Sequence, residues 1–212
     1  TVRLKDSFIP DNLVVATNFS ALSADAEGMT HGYKLHGNSL YRIPQLALAA
    51  NYGNAVMVGG AYAALDEYEH VAKTKKPQTI TALGIKQLKV NAQVTEVQKN
   101  FGLANADCEA AEGILFAASQ ELERMGREGY KMEDILRMVL FIAVAGRISW
   151  KAVEETLWRT IGSSQGMSGA RMERYWRDLS IYWNSPNNGY RESVATAFAQ
   201  SRWGDFLKSL DD

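Results

Sequence analysis

A small, polar segment followed by a basic cluster is the part of this sequence best suited to ligand chemistry. The segment 162–166 reads Gly-Ser-Ser-Gln-Gly, and Arg174, Arg177 and Asp178 follow it on a predicted helix. Glycine and serine let backbone amides approach a ligand closely, and arginine binds phosphate oxygens through paired N–H donors. The candidate residues for holding an anionic ligand are Gly162, Ser163, Ser164, Gln165, Arg174 and Arg177.

The same residues also fit a purely structural role. A glycine-rich connector would join two helices, and an Arg–Asp pair would lock those helices together without any ligand. The spacing alone leaves both interpretations open.

Three lysines at the end of a predicted helix form a second group of positive charges. Lys73, Lys75 and Lys76 stand just before Pro77. Such a group is usually solvated and is favoured by the negative end of the helix dipole. Contact with a phosphate is the alternative.

The other reactive side chains indicate neither a metal centre nor cysteine chemistry. His31 and His36 lie in a loop without a third histidine or a cysteine to complete a metal site. Glu67 and His70 form one Glu-x-x-His pair, whereas di-metal bundles use two. Cys108 lies mid-helix among alanines, which is typical of a small buried residue. We therefore predict no bound metal.

Composition limits the classes of protein and partner. The 212 residues carry a net charge of −1 without a basic block, so nucleic-acid binding is not expected. The longest apolar run, residues 138–146, is far shorter than the ~20 residues of a membrane-spanning helix. The single cysteine excludes a disulfide framework and fits a reducing, cytoplasmic compartment. The opening at Thr1, inside an alternating pattern, predicts a processed or truncated product.

Hydrophobic spacing predicts a mainly α fold, an antiparallel up-and-down helical bundle preceded by a short β-strand remnant. Residues 1–15 are predicted as a strand and its exit, 16–43 as a long loop, and 44–212 as the bundle. Apolar residues recur every three or four positions in the bundle, and short connections imply antiparallel neighbours. The predicted helices span 44–70, 82–125, 131–161, 170–182 and 190–210, with a turn at 185–189.

The first of these helices is predicted to bury a stripe rich in alanine and glycine. The stripe includes Gly53, Val56 and Gly60. Because these side chains are small, a neighbouring helix is expected to approach closely.

Several segments, taken in order, resemble the C-terminal part of the acyl-CoA dehydrogenase-like fold. The sequence is most similar to the oxygenase components of two-component flavin-dependent monooxygenases, the 4-hydroxyphenylacetate and phenol hydroxylase type. The resemblance spans essentially the whole chain. The segments that carry it are Leu4-Lys5-Asp6-Ser7-Phe8-Ile9-Pro10, Asn38-Ser39-Leu40-Tyr41-Arg42-Ile43-Pro44, Gly59-Gly60-Ala61-Tyr62-Ala63-Ala64-Leu65, Gly162-Ser163-Ser164 and Arg174-Tyr175-Trp176-Arg177-Asp178-Leu179.

The resemblance implies the C-terminal portion of a monooxygenase that uses reduced flavin, FMN or FAD, and O₂ to oxygenate a small organic substrate. A separate flavin reductase would supply the reduced flavin. The resemblance places flavin near residues 162–164, with Arg174 and Arg177 bracing that region and the loop 16–43 bordering the substrate pocket. A neighbouring subunit of a homo-oligomer, a tetramer, would complete the site.

The sequence departs from these families at two positions. Many acyl-CoA dehydrogenases carry a glutamate base after an Ile-Tyr pair, but here Trp183 and Asn184 follow, which disfavours desaturation by that base. The aromatic hydroxylases often have a histidine where this chain has Ser185. The candidate catalytic residues are Ser185 and the loop histidines His31 and His36.

Two other functions stay open at this stage. One is an acyl-CoA dehydrogenase-like flavoenzyme with its base elsewhere. The other is a non-catalytic helical fragment that only oligomerises, with small-residue stripes and C-terminal aromatic residues at its interfaces.

Overall fold

The computed structural model describes residues 3, 5–14, 30–76 and 89–208, without the side chains of 186–190 and 205–208. All regular structure in these residues is helical, which confirms the predicted mainly α bundle. The helices are α1 His31–His36, α2 Gln45–Thr74, α3 Thr95–Glu128, α4 Met132–Lys151, α5 Arg171–Trp183 and α6 Pro186–Lys208.

The first predicted segments lie partly outside the described residues. The described part of the predicted strand, 5–14, contains the 3₁₀ turn Asp11–Leu13. A strand needs a partner for its hydrogen bonds, and the described residues provide none, so the strand at 1–15 stays a prediction. The described end of the predicted loop 16–43 is partly helical, since it contains α1. Thr30 stabilises the start of α1 by accepting a hydrogen bond from the Tyr33 amide at 3.0 Å.

Helix α2 lies at the centre of the bundle, where it packs against α3, α4 and α5. A β-carbon on Gly53 would lie 1.9 Å from the hydroxyl oxygen of Tyr182, and one on Gly60 would lie 2.7 Å from Cδ2 of Leu179. A methyl group at either glycine would therefore force Tyr182 or Leu179 to shift where α5 approaches α2. The predicted inward stripe is correct at these glycines but wrong at Val56, whose side chain is 64% exposed.

Two main groups of buried side chains fill the bundle. The first joins α2 to the entry of α3, to the segment after α4 and to α5, and it includes Ile161 beside the candidate ligand segment. The second lies toward the α3–α4 turn. Burying one such aliphatic side chain stabilises the fold by about 1.5–3 kcal/mol. Fully buried members are Met57, Tyr68, Leu157 and Met172 in the first group, and Met125, Ile135, Met138 and Ile142 in the second.

The helix predicted for 131–161 is α4 followed by a π-helical turn, Ala152–Leu157. The amide of Trp158 donates to the carbonyl oxygen of Val153, five residues earlier, at 2.9 Å. Such turns re-aim the side chains around them and are frequent at functional sites. This one ends directly before Trp158 and the segment 160–166.

The second helix is predicted to begin at residue 82. Residues 77–88 lie outside the described part of the chain. The described chain resumes with the 3₁₀ turn Asn91–Gln93, and α3 begins only at Thr95. The Asn91 amide donates to the Lys75 carbonyl oxygen at 2.8 Å. This bond ties the entry of α3 to the end of α2.

The turn predicted at 185–189 is wrong in its extent. Helix α6 already begins at Pro186, because proline suits the first position of a helix, where no N–H donor is needed. The break between α5 and α6 is therefore short. No described helix is both long and apolar enough to span a membrane.

Candidate functional site

The segment 162–166 forms a tight turn. Gly162 has φ +93°, a conformation that residues with a side chain adopt only with strain. The Gln165 amide donates to the Gly162 carbonyl oxygen at 3.0 Å, and the 3₁₀ turn Ser163–Gly166 follows. The Gln165 side chain is buried, whereas Ser163 and Ser164 are exposed.

A cavity of about 640 Å³ opens beside this segment. Its walls come from the end of α2, the entry of α3 and residues 160–164. The Lys75 ammonium nitrogen donates to the Ser164 hydroxyl oxygen at 2.7 Å, so a cation lies at the serine-rich turn. The volume is typical of small-molecule pockets. The lining residues are Lys75, Lys76, Asn91, Val94, Glu96, Val97, Thr160, Ile161, Gly162, Ser163 and Ser164.

The cavity has a cationic end and an apolar wall. Lys75 and Lys76 contribute positive charge, and Val94 and Val97 contribute apolar surface. The one carboxylate among the described lining residues, Glu96, pairs with Lys99 at 2.7 Å. The third lysine of the group is directed elsewhere, since Lys73 forms an ion pair with Glu69 at 2.6 Å. The arrangement suits a ligand with an anionic group attached to a less polar body.

A partly buried hydrogen-bond network holds Thr160, one of the residues that line the cavity. The hydroxyl oxygens of Tyr68 and Thr160 are 2.7 Å apart, and the Asn100 side-chain amide donates to the Thr160 hydroxyl at 3.1 Å. Burial raises the pKa of Tyr68, so the phenol stays neutral. The network joins α2, α3 and the start of the ligand segment, and it fixes Thr160.

An aromatic cluster supports the far side of the same segment. The rings of Trp158 and Trp176 stack with centroids 5.0 Å apart, and the Trp176 indole N–H donates to the Glu154 carboxylate. Trp158 also packs against Gly166, where an added β-carbon would lie 3.5 Å from its ring. The π-helical turn brings Glu154 and Trp158 together at this place.

The structure does not bring the two predicted arginines into this cavity. Arg177 forms an ion pair with the Glu173 carboxylate at 2.8 Å and lies 3.6 Å from Asp178. The Arg174 guanidinium carbon lies 5.4 Å from the Tyr175 ring centroid. Both arginines lie on the exposed side of α5, and their contact with a cofactor stays a prediction.

A second cavity, of about 340 Å³, lies between α2, α4, α5 and α6. Its polar lining residues are Tyr52, Asn54, Tyr182 and Arg191, and the rest of its wall is apolar or glycine. Burial raises the pKa of Tyr182. The Asn54 side-chain oxygen is buried without a hydrogen-bond partner in the described part of the chain. Sequence reasoning missed this cavity, although the Ile-Tyr pair ending α5 was a signal for it.

The candidate catalytic residues lie apart from both cavities. His31 begins α1 and is exposed, and the His36 ring lies 4.8 Å from that of Tyr41. The Ser185 hydroxyl is buried and has no hydrogen-bond partner among the described residues. None of the three lines either cavity, and their roles stay predictions.

Cys108 is fully buried, as predicted, and burial raises its pKa to about 11. It is therefore a poor nucleophile. Among the described residues, no group of three or more histidine, cysteine, aspartate or glutamate side chains could hold a metal ion.

The helical fold is that of a known protein family. The family model described as acyl-CoA dehydrogenase, C-terminal domain, matches residues 53–183, and the chain belongs to that family.

Relatives extend the similarity beyond the matched domain. The chain is 29% identical over 180 residues to a pigment production hydroxylase from Rhodococcus sp., and this covers 85% of the chain but 43% of the relative. It superposes on the 3-HSA hydroxylase from Rhodococcus sp. RHA1 with a TM-score of 0.74 at 20% identity. The HsaA monooxygenase from M. tuberculosis gives 0.70, also at 20% identity. Each superposition covers 95% of this chain and 49% of the other, so the chain spans about half of each relative's length.

Proposed function

We propose that the chain is the C-terminal portion of a flavin-dependent monooxygenase, which uses reduced flavin and O₂ to oxygenate a small organic substrate. The observation that carries the proposal is the cavity at residues 160–164, with its cationic end at Lys75. The relatives named as hydroxylases and a monooxygenase support it. Flavin supplies the oxygen chemistry when bound, and the protein supplies binding, orientation and exclusion of water.

The residues around the first cavity fit the anionic end of a flavin. The lysine side chains and the hydroxyl groups of Ser163 and Ser164 are the donors that a phosphate requires. Gly162 keeps the backbone free of a side chain at the turn, where an added β-carbon would meet open space. The cavity volume suits either FMN or part of FAD, and comparative titration separates the two.

The second cavity is proposed to hold the organic substrate. Its wall is largely apolar, and Tyr182 and Tyr52 offer hydroxyl groups for orientation. No carboxylate is among its described lining residues. Trp183, which stands where dehydrogenases carry a base, lies beneath Arg191. Oxygenation is therefore favoured over desaturation of an acyl-CoA.

The proposal includes partners and a location. A separate reductase would deliver reduced flavin, and the protein would be a cytoplasmic homotetramer in which a neighbouring subunit completes the flavin site. The single cysteine, buried and reduced, is in keeping with that compartment.

The competing proposal is a helical fragment that oligomerises without catalysis. Exposed apolar side chains on α2 and α5, Tyr52, Val56 and Ile181, favour an interface there. Calorimetric titration of the 212-residue chain with FMN and FAD separates the two proposals. Micromolar binding is expected for a flavin site, and no binding would favour the fragment.

The activity is tested with the whole parent protein, a flavin reductase, NADH and ¹⁸O₂. Phenols, including 4-hydroxyphenylacetate, are offered as substrates, with butyryl-CoA as the alternative. The expected result is a product that carries one ¹⁸O atom by mass spectrometry. Desaturation of butyryl-CoA without label incorporation would overturn the monooxygenase in favour of a dehydrogenase.

A further inference from the structure

A third cavity, of about 440 Å³, lies along the outer side of α4 and α6. Its floor is apolar, formed by Leu140, Ala143 and Val144 of α4 with a small residue of α6. Its polar residues are Arg147, Arg191 and Glu192. We call it the arginine groove.

The guanidinium of Arg191 is held in place at one end of the arginine groove. Its central carbon lies 3.8 Å from the Trp183 ring centroid, in cation–π contact. Burial lowers the pKa of Arg191, and the positive charge of Arg147 acts in the same direction. The Glu192 carboxylate acts in the opposite direction, and both guanidinium groups line the same groove.

Arg147 is exposed at the other side of the groove. Among the described residues, no carboxylate lies within ion-pair distance of it, whereas Arg137 on the same helix pairs with Glu121 at 2.9 Å. The only acid among the described lining residues is Glu192, which is exposed. The groove thus has an excess of positive charge above an apolar floor.

We propose that the arginine groove binds an organic carboxylate with a small apolar body. The carboxylate would lie between the two guanidinium groups, which offer paired donors matched to its oxygens. The apolar body would pack on Leu140 and Val144. This site is separate from the proposed flavin cavity. It shares Ala143 and Arg191 with the wall of the second cavity, but it does not depend on the monooxygenase function.

The test is the affinity of the 212-residue chain for benzoate, measured by ligand-observed NMR titration. Arg147→Gln should weaken binding about tenfold, because a charge-assisted hydrogen bond is lost. Arg137→Gln is the matched control, since it removes the same charge from the same helix. It should bind benzoate as the wild type does.

One further variant and two further ligands show which cavity binds benzoate and which part of the ligand is recognised. Lys75→Gln should leave benzoate affinity unchanged, while benzamide and inorganic phosphate should each bind more weakly than benzoate. Equal affinity of the wild type and Arg147→Gln would overturn the proposal. So would a loss confined to Lys75→Gln, which would place benzoate in the first cavity. Phosphate binding as tight as benzoate would overturn the role of the apolar floor.

Discussion

The ammonium nitrogen of Lys75 lies 2.7 Å from the hydroxyl oxygen of Ser164, although 89 positions separate the two residues in sequence. This contact joins the end of α2 to the turn after α4 and sets the cationic end of the first cavity. Neither residue alone distinguishes a ligand site from a solvated surface. Their juxtaposition beside Gly162 supports the proposed ligand site, because it brings a cation, a hydroxyl group and an unhindered backbone together.

The first prediction concerns the charge of Lys75. Lys75→Gln should weaken FMN binding about tenfold, because an ammonium–phosphate hydrogen bond is replaced by a neutral one. Quenching of FMN fluorescence on titration measures the affinity. Lys73→Gln is the control, since Lys73 lies on the same helix end but pairs with Glu69. Similar losses in both variants would show that only general surface charge attracts the flavin.

The second prediction concerns the backbone at Gly162. Gly162→Ala should destabilise the fold by about 1–3 kcal/mol, because φ +93° is strained for a residue with a β-carbon. Urea unfolding gives the free energy. Gly166→Ala serves as the control within the same turn, where the new methyl would make ordinary contact with Trp158 at 3.5 Å. Equal effects at the two positions would contradict the argument from backbone conformation.

The third prediction concerns the network behind the cavity. Thr160→Val should cost about 1–3 kcal/mol of unfolding free energy, because the buried side chains of Tyr68 and Asn100 each lose a hydrogen bond to the half-buried Thr160 hydroxyl. Thr160→Ser keeps the hydroxyl and should recover most of that loss. Thermal and urea unfolding of the two variants provide the comparison. A valine variant as stable as the serine variant would show that the hydroxyl contributes little.

The fourth prediction concerns the close approach of α2 and α5. Gly53→Ala should destabilise by about 1–3 kcal/mol, because the new methyl would displace the Tyr182 ring. Gly59→Ala, six residues along the same helix, points into open space. It should be neutral or stabilising, by up to about 1 kcal/mol, through helix propensity. A destabilising Gly59 variant would mean that helix composition, rather than contact with Tyr182, decides the outcome.

The periodicity of apolar residues predicts the helices well, because the buried face of a helix is formed by residues three or four positions apart. The helix predicted for 170–182 is α5, Arg171–Trp183, and that predicted for 44–70 is α2, Gln45–Thr74. The sequence does not predict the π-helical turn after α4. A single turn with hydrogen bonds that span five residues instead of four does not alter the spacing of apolar residues enough to be recognised. Likewise, Pro186 was interpreted as part of a turn, although it begins α6.

The sequence predicts only part of the candidate site. Its walls come from the end of α2, the entry of α3 and residues 160–164, which are distant in sequence and meet only in the folded chain. The glycine and serines at residues 162–164 indicate the turn, but the sequence does not indicate that Lys75 contacts Ser164. Arg177 shows a signal that was overlooked: Glu173 stands four residues before it, the spacing of a helical ion pair. That spacing indicated an arginine already paired along its own helix.

The last prediction concerns acid stability. Hydrogen bonds from Arg124, then Arg137, outweigh burial and lower the pKa of Glu121 from 4.5 to about 2 in the folded chain. Because the folded pKa lies below the unfolded one, Glu121 stabilises the fold fully above pH 4.5. That contribution is lost as the pH falls toward 2. Glu121→Gln should therefore be less stable at pH 7 and should lose less stability between pH 4.5 and 2 than the wild type.

Urea unfolding at a series of pH values measures this difference. Glu123→Gln is the matched control, because Glu123 lies on the same helix and pairs with a single exposed arginine, Arg127. It should retain most of the wild-type dependence on pH. If Glu121→Gln and the wild type lost stability in parallel as the pH fell, Glu121 would not be the group that links proton binding to unfolding, and its hydrogen bonds with α4 would contribute little.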